Sequence, residues 1–283
     1  MPDKAQPLFI VGCGRSGTQA LGRLFDSYGN VTMHHEYMVH HVQPLGVEYW
    51  HGRVGRDEVM ASLRSLYGAA ISFSETPVWG DCSNKLSWFV DILAGAFPEA
   101  RFIHLVRDGR KAVSSLYHKL GHECLDDRSV NALRAYLEAD GPKPPPEKKY
   151  WWPMARRSDE IYQDYQSFDH FSRIAYHWAQ INREVRQKLG LLEQSRYIRV
   201  RLEDITASRE NLEDMLSFAG LPLGEEQVEL MVRPHNVIKP VNFMLEDDQL
   251  ETFWTLAGAE MKALGYDTQD EYVLEYNPTR GNA

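Results

Sequence analysis

Leu8-Phe9-Ile10-Val11-Gly12-Cys13-Gly14-Arg15-Ser16-Gly17-Thr18 is the stretch on which the fold turns. Four consecutive apolar residues enter a glycine-rich turn, as a buried parallel strand does. Beyond the turn, Ala20, Leu21, Leu24 and Phe25 recur at helical spacing, and Tyr28-Gly29-Asn30 stops that helix. Such a strand-to-helix turn aims backbone N–H groups at an anion beside the positive end of the helix dipole, an approach that a Cβ would block. The loop predicts a site for a phosphate-like anion.

Outward from the loop, Val31–Glu36 reads as a second strand or extended segment and 57–69 as a helix with Val59, Leu63 and Leu66 on one face. Leu86–Phe97 reads as an apolar helix closed by Pro98, Arg101–Val106 as a strand, Asp108–Lys119 as a helix and Tyr197–Leu202 as a strand. Further helices are predicted at about 159–189, 208–219 and 247–264. This β-α alternation predicts an α/β fold of three layers, with a mostly parallel central sheet flanked by helices. One domain spanning 1–283 is expected, with a loop or lid insertion at about 120–158. Gly141-Pro142-Lys143-Pro144-Pro145-Pro146 excludes regular helix and central strand there. The neighbouring Tyr150, Trp151 and Trp152 suit a loop that packs on something, and more often anchor a core than wall an acceptor site.

A net charge of −9 over 283 residues argues against a nucleic-acid partner, so any anion site has to be a local concentration of Arg and Lys. Cys13, Cys82 and Cys124 are odd in number and far apart, which argues against a disulfide framework and for a reducing, cytoplasmic setting. Ile10-Val11-Gly12-Cys13 imitates a lipoprotein cleavage site, but the apolar run before it is too short for a signal peptide. No stretch approaches the ~20 apolar residues of a membrane span.

Three classes of protein use a loop of this kind. Gly12 to Gly17 fits the opening of a nucleotide-triphosphatase loop, but Thr18 and Gln19 stand where the phosphate-binding Lys and the Mg²⁺-binding hydroxyl are needed. Gly12-x-Gly14-x-x-Gly17 also passes the dinucleotide fingerprint, with Glu36 near the expected ribose-binding acid, which makes a Rossmann-type FAD- or NAD-binding oxidoreductase the alternative. Arg15 is awkward for that reading, because backbone and pyrophosphate approach closely at its position. The third class binds a nucleotide with a phosphosulfate end, which needs a cation in the loop and no metal.

A second motif favours this third class. Phe102-Ile103-His104-Leu105-Val106-Arg107 is a buried strand ending in Arg, and Ser115 follows eight residues later on the next helix. Together the two motifs resemble those of the PAPS-dependent sulfotransferases. Trp79-Gly80-Asp81-Cys82-Ser83-Asn84, Phe97-Pro98-Glu99-Ala100-Arg101 and Arg201-Leu202-Glu203-Asp204-Ile205 extend the resemblance, with Leu202 where Tyr is usual.

The resemblance implies a P-loop NTPase-like fold. It further implies that Gly14, Arg15, Ser16, Gly17, Thr18 and Gln19 hold the 5′-phosphosulfate, and that Arg107 and Ser115 hold the 3′-phosphate. Lys239 is the match for a C-terminal PAPS-contacting segment, though its usual glycine-rich context is absent. The implied reaction moves a sulfuryl group from PAPS to a hydroxyl or amine of a small-molecule, lipid or glycan acceptor and releases PAP. Arg15 serves as the catalytic cation and Glu36 as the base, with His35 or His34 as the other choice. No metal is required; His118-x-x-x-His122 has helix-face spacing for one but lacks a third ligand. A homodimer stays open.

Overall fold

A computed structural model describes residues 5–139, 141–232 and 244–266. Its centre is a five-stranded sheet in the order β2-β3-β1-β4-β5, parallel at every pairing. The strands are β1 (Gln6–Gly12), β2 (Val31–His35), β3 (Val78–Cys82), β4 (Arg101–Val106) and β5 (Tyr197–Arg201). Helices α1 (Thr18–Asp26), α2 (Val39–Trp50), α3 (Arg56–Ser72), α4 (Val90–Ala96) and α5 (Gly109–Lys119) connect or follow the first four. Then come α6 (Asp127–Glu138), α7 (Tyr162–Tyr165), α8 (His170–Leu189), α9 (Leu202–Ala207), α10 (Arg209–Phe218), α11 (Glu225–Val232) and α12 (Asp247–Ala263).

The alternation along β1 builds the layers, because successive side chains of a strand point to opposite faces. Leu8 and Ile10 meet Leu21, Leu24 and Phe25 of α1 and Met215 of α10 on one face. Phe9 and Val11 meet Leu63 and Tyr67 of α3 and Leu93 of α4 on the other. A third cluster joins α5, α8 and α12 around Trp178 and Phe253, and also takes in Trp151 and Trp152.

The strand order excludes the Rossmann alternative. In that fold β2 lies beside β1, which brings the acid at its end to the nucleotide ribose. Here β3 separates the two, so Glu36 stands two strands away from the glycine loop.

Several boundaries differ from the sequence reading. β3 was not expected as a strand, and Gly80 explains both its weak signal and its place in the sheet. A Cβ there would lie 2.4 Å from Met33 Cε and 2.8 Å from the Leu8 carbonyl oxygen. The expected helix over Leu86–Phe97 is a 3₁₀ segment, Asn84–Phe89, followed by α4. The expected helix over 159–189 breaks before α8, where the Asp169 side chain accepts from the Ser172 N–H and starts a new helix. The 120–158 region contains α6, capped by Asp126, and becomes irregular at 141–147.

Gly12, the last residue of β1, sits against Leu105 of β4. A Cβ there would come within 2.2 Å of the Leu105 carbonyl oxygen at a φ of +154°. Gly12→Ala is expected to cost about 3 kcal/mol, read as a lower urea midpoint at unchanged slope.

Candidate active site

In a parallel α/β sheet the carboxyl ends of the strands form one rim, and ligands bind there. On this rim the chain places Gly12, His35, Cys82, Val106 and Arg201. The loop after β1 is pinned from below by Ser87, whose Oγ accepts from the Gly12 N–H and donates to the Gly12 carbonyl, both at 2.9 Å. Arg15 adopts φ 65° and Gly17 φ 102°, and α1 begins at Thr18. A Cβ on Gly17 would press to 2.9 Å on Leu202 Cδ1, so the residue before the helix has to be Gly.

The two sequence motifs meet directly. Arg15 Nε donates to Ser115 Oγ at 3.0 Å, and Arg107 NH1 donates to the Arg15 carbonyl at 2.9 Å. Asp108, next to Arg107, caps α5 by accepting from the Arg110 N–H at 2.9 Å and pairs with the Arg110 guanidinium. The Asp108 N–H in turn donates to Glu203 Oε1 at 3.1 Å, tying the segment after β5 to this turn. The loop fits a phosphate-like group on one further observation. Ser16 Oγ is buried and has no hydrogen-bond partner within the protein, a position that a buried hydroxyl rarely holds without a ligand or water to bond.

Glu36 follows β2 with φ 58°, and the turn that carries it is held from β3. The Glu36 N–H donates to the Cys82 carbonyl at 3.4 Å and the Tyr37 N–H to Asp81 Oδ1 at 3.1 Å. Tyr67 OH donates to Asp81 Oδ2 at 3.0 Å. Burial pushes the Glu36 carboxyl up, but Lys85, the hydrogen bond and charge of Lys148, and His35 outweigh it, and the net shift is below the ordinary value. His35 Nε2 lies 3.4 Å from Thr18 Oγ1, and burial holds this imidazole below its ordinary pKa. His34 turns instead into an aromatic cluster with Tyr37 and Trp79, at ring distances of 4.9 and 5.2 Å.

Lys85 and Asp81 are the residues that sequence reasoning passed over. Lys85 is 4% exposed at the end of β3, with its ammonium 3.8 Å from the centre of the Trp152 ring. Burial depresses its pKa to about 8, against the attraction of Glu36. A lysine in the first turn after a buried strand was a signal that could have been read, had β3 been recognised. Lys239 lies outside the described residues, so its expected contact has no geometry here. Among the described residues no three His, Cys, Asp or Glu side chains gather as a metal site. Nor is any described helix long and apolar enough to cross a membrane.

With this geometry in hand, comparison with known proteins is direct. The model of the Sulfotransferase family matches residues 7–139, which include both motifs, Glu36 and Lys85. Over this segment the chain is similar to the sulfotransferase family. The general activity of that family is PAPS-dependent sulfuryl transfer. Two solved bacterial structures extend the likeness in fold over most of the chain. A sulfotransferase from Alicyclobacillus acidocaldarius superposes with a TM-score of 0.54 at 13% identity, covering 93% of this chain and 97% of that one. Sulfotransferase STF9 from Mycobacterium avium gives a TM-score of 0.51 at 12% identity, covering 93% and 78%. No protein of curated function matches the sequence.

Asp81 supplies a test of how the Glu36 turn is built. Burial raises its carboxyl from 3.8 to about 7. A raised acid binds its proton more tightly in the folded state, so its contribution is full below about pH 4 and is lost as pH rises through about 7. Asp81→Asn, whose Oδ1 still accepts from the Tyr37 N–H while its amide can donate to the Tyr67 hydroxyl, removes the titration and is expected to gain stability relative to wild type between pH 5 and 8, measured by urea unfolding.

Proposed function

We propose that the protein transfers a sulfuryl group from PAPS to a hydroxyl or amine of an acceptor, with the donor held across the glycine loop and the β4–α5 turn. The observation that carries this reading is the contact between the two motifs. Arg15, Arg107 and Ser115 bond to one another across the rim, so one bound nucleotide can reach both a 5′-phosphosulfate site and a 3′-phosphate site.

Bound PAPS supplies the sulfuryl group and a phosphate leaving oxygen. The chain supplies positioning and charge, which dominate an in-line displacement of this kind. The N-terminal N–H groups of α1, the Ser16 hydroxyl and Arg15 hold the 5′ end, and Arg107 with Ser115 holds the 3′-phosphate. Gly14, Gly17, Thr18 and Gln19 shape the cradle. Glu36, ionised at neutral pH, accepts the proton of the acceptor as the new bond to sulfur forms. Lys85, in the 3₁₀ segment after β3, carries the positive charge that this buried corner beside Glu36 needs, whereas His35 is held neutral and serves as neighbour to Thr18. A Glu at this place is the better base of the two because its carboxylate is bonded and oriented.

Adding PAP is expected to raise the melting temperature, while NAD, FAD or ATP leaves it nearly unchanged; stabilisation by NAD or FAD alone would overturn the reading. Arg107→Ala removes a charged phosphate contact, which is worth about 1.5–3 kcal/mol, so PAP affinity is expected to fall roughly 10- to 100-fold. The affinity for adenosine 5′-phosphosulfate, which lacks the 3′-phosphate, should change far less by calorimetry. Glu36→Gln is expected to abolish sulfuryl transfer with PAP affinity intact, and retained activity would move the role to His35. The rate is also expected to fall as pH rises through about 8, where the Lys85 ammonium loses its proton, with that limb absent from the residual activity of Lys85→Met.

A further inference from the structure

On Glu36, one oxygen is already taken. Lys148 donates from Nζ to Glu36 Oε2 in an ion pair that reaches across from the proline-rich segment. An acceptor hydroxyl or amine needs a hydrogen bond to this same carboxylate before it can lose its proton. Lys148 is not the only cation beside Glu36, because the charge of buried Lys85 also lowers the pKa of the carboxyl. Lys148 thus takes one of the places open to an acceptor on this carboxylate, and Lys85 stays beside Glu36 when Lys148 leaves.

The two partners differ in freedom. The Lys148 side chain is 46% exposed and that of Glu36 only 15%, so the ammonium is the group that yields. The main chain behind it stays put. Gln43 Nε2 donates to the Lys148 carbonyl at 3.0 Å, His40 Nδ1 lies 3.2 Å from the Pro146 carbonyl, and Trp151 Nε1 donates to the Pro145 carbonyl at 2.7 Å. Trp151 itself is 1% exposed and belongs to the core. A displaced ammonium can therefore move only as far as its four-carbon stem allows, and it ends beside whatever has displaced it.

The same segment walls a cleft of ≈ 850 Å³ along α2 and α3, lined by Glu48 and Lys143 and not by Glu36 or Lys148 themselves. Glu48 in that cleft already has a cation, its Oε1 accepting from Lys143 at 2.8 Å and from Tyr136 OH at 2.5 Å. An anion on the acceptor itself would meet the released ammonium.

We propose that Lys148 determines acceptor specificity: the acceptor's hydroxyl or amine replaces Lys148 on Glu36, and an anionic group on the same molecule receives the released ammonium. The acceptor is thus a carboxylated, sulfated or phosphorylated hydroxy or amino compound. This rests on Glu36 being the base of a sulfotransferase.

The test uses the whole chain, PAPS and matched acceptors that differ by one charge: para-nitrophenyl glucuronide against para-nitrophenyl glucoside, and para-hydroxyphenylacetate against its amide. PAP release gives kcat and KM. The carboxylates are expected to show about tenfold higher kcat/KM, chiefly through KM, a ratio that converts to ~1.4 kcal/mol. Lys148→Ala should erase the preference and Lys148→Arg should keep it. A preference that survives in Lys148→Ala, or its absence in the wild type, overturns the proposal. An equal rise for charged and neutral acceptors in Lys148→Ala overturns it too, leaving Lys148 as a plain cover over the base. Failure of every acceptor while PAP still raises the melting temperature counts against the anionic acceptor and leaves the donor site standing. Loss of the PAP effect itself would instead remove the sulfotransferase reading beneath it.

Discussion

β1 lies between β3 and β4, and its last residue touches the backbone of β4 so closely that no side chain fits between them. From Gly12 onward the loop has to leave the sheet at the rim, with Arg15 turned through a left-handed conformation and α1 starting at Thr18. Because every neighbour is parallel, the ends of β2, β3 and β4 reach the same rim. The meeting of Arg15, Arg107 and Ser115 follows from that register, and so does the approach of Glu36 and Lys85. A shift of one residue in the β1–β4 pairing would turn each side chain of the strand to the opposite face and part the two motifs.

The electrostatics of the rim run against those of the chain as a whole. The protein carries −9 overall, yet Arg15, Arg107, Lys85 and Lys148 converge where the strands end. Holding cations together out of water is unfavourable unless an anion joins them. Glu36 serves both Lys85 and Lys148 in this way. Asp81, buried one layer below, holds the Glu36 turn through its bonds to Tyr37 and Tyr67. Glu36 and its support therefore come from adjacent strands, β2 and β3.

Much of this was legible in the residues. The run Leu8–Val11 with its glycines, and the strand ending in Arg107 with Ser115 beyond, are local patterns whose meaning needs no partner. Glu36 was legible as a candidate from its place after the second strand. Lys85 was not, since only its position at the end of β3 distinguishes it from a surface lysine. β3 itself was obscured by Gly80 and Asp81, residues that disfavour strands and that are required here by Met33 and by the Glu36 turn. α2 and α6 also went unread, the first carrying Pro44 within it.

By itself the sequence marked the turn after β1 as a candidate site for a phosphate-like anion and the turn after Arg107 as one suited to a 3′-phosphate, because both patterns depend on neighbours within about a dozen residues. The fingerprint of Gly12, Gly14 and Gly17 fits both glycine-loop folds, and the choice of the sulfotransferase one rested on Arg107 and Ser115. The tertiary structure decided between the folds by inserting β3 between β1 and β2. It also decided that Lys148, more than a hundred residues further along the chain, covers the carboxylate of Glu36. Contacts of that separation are set by how the layers stack, which no local pattern of residues records.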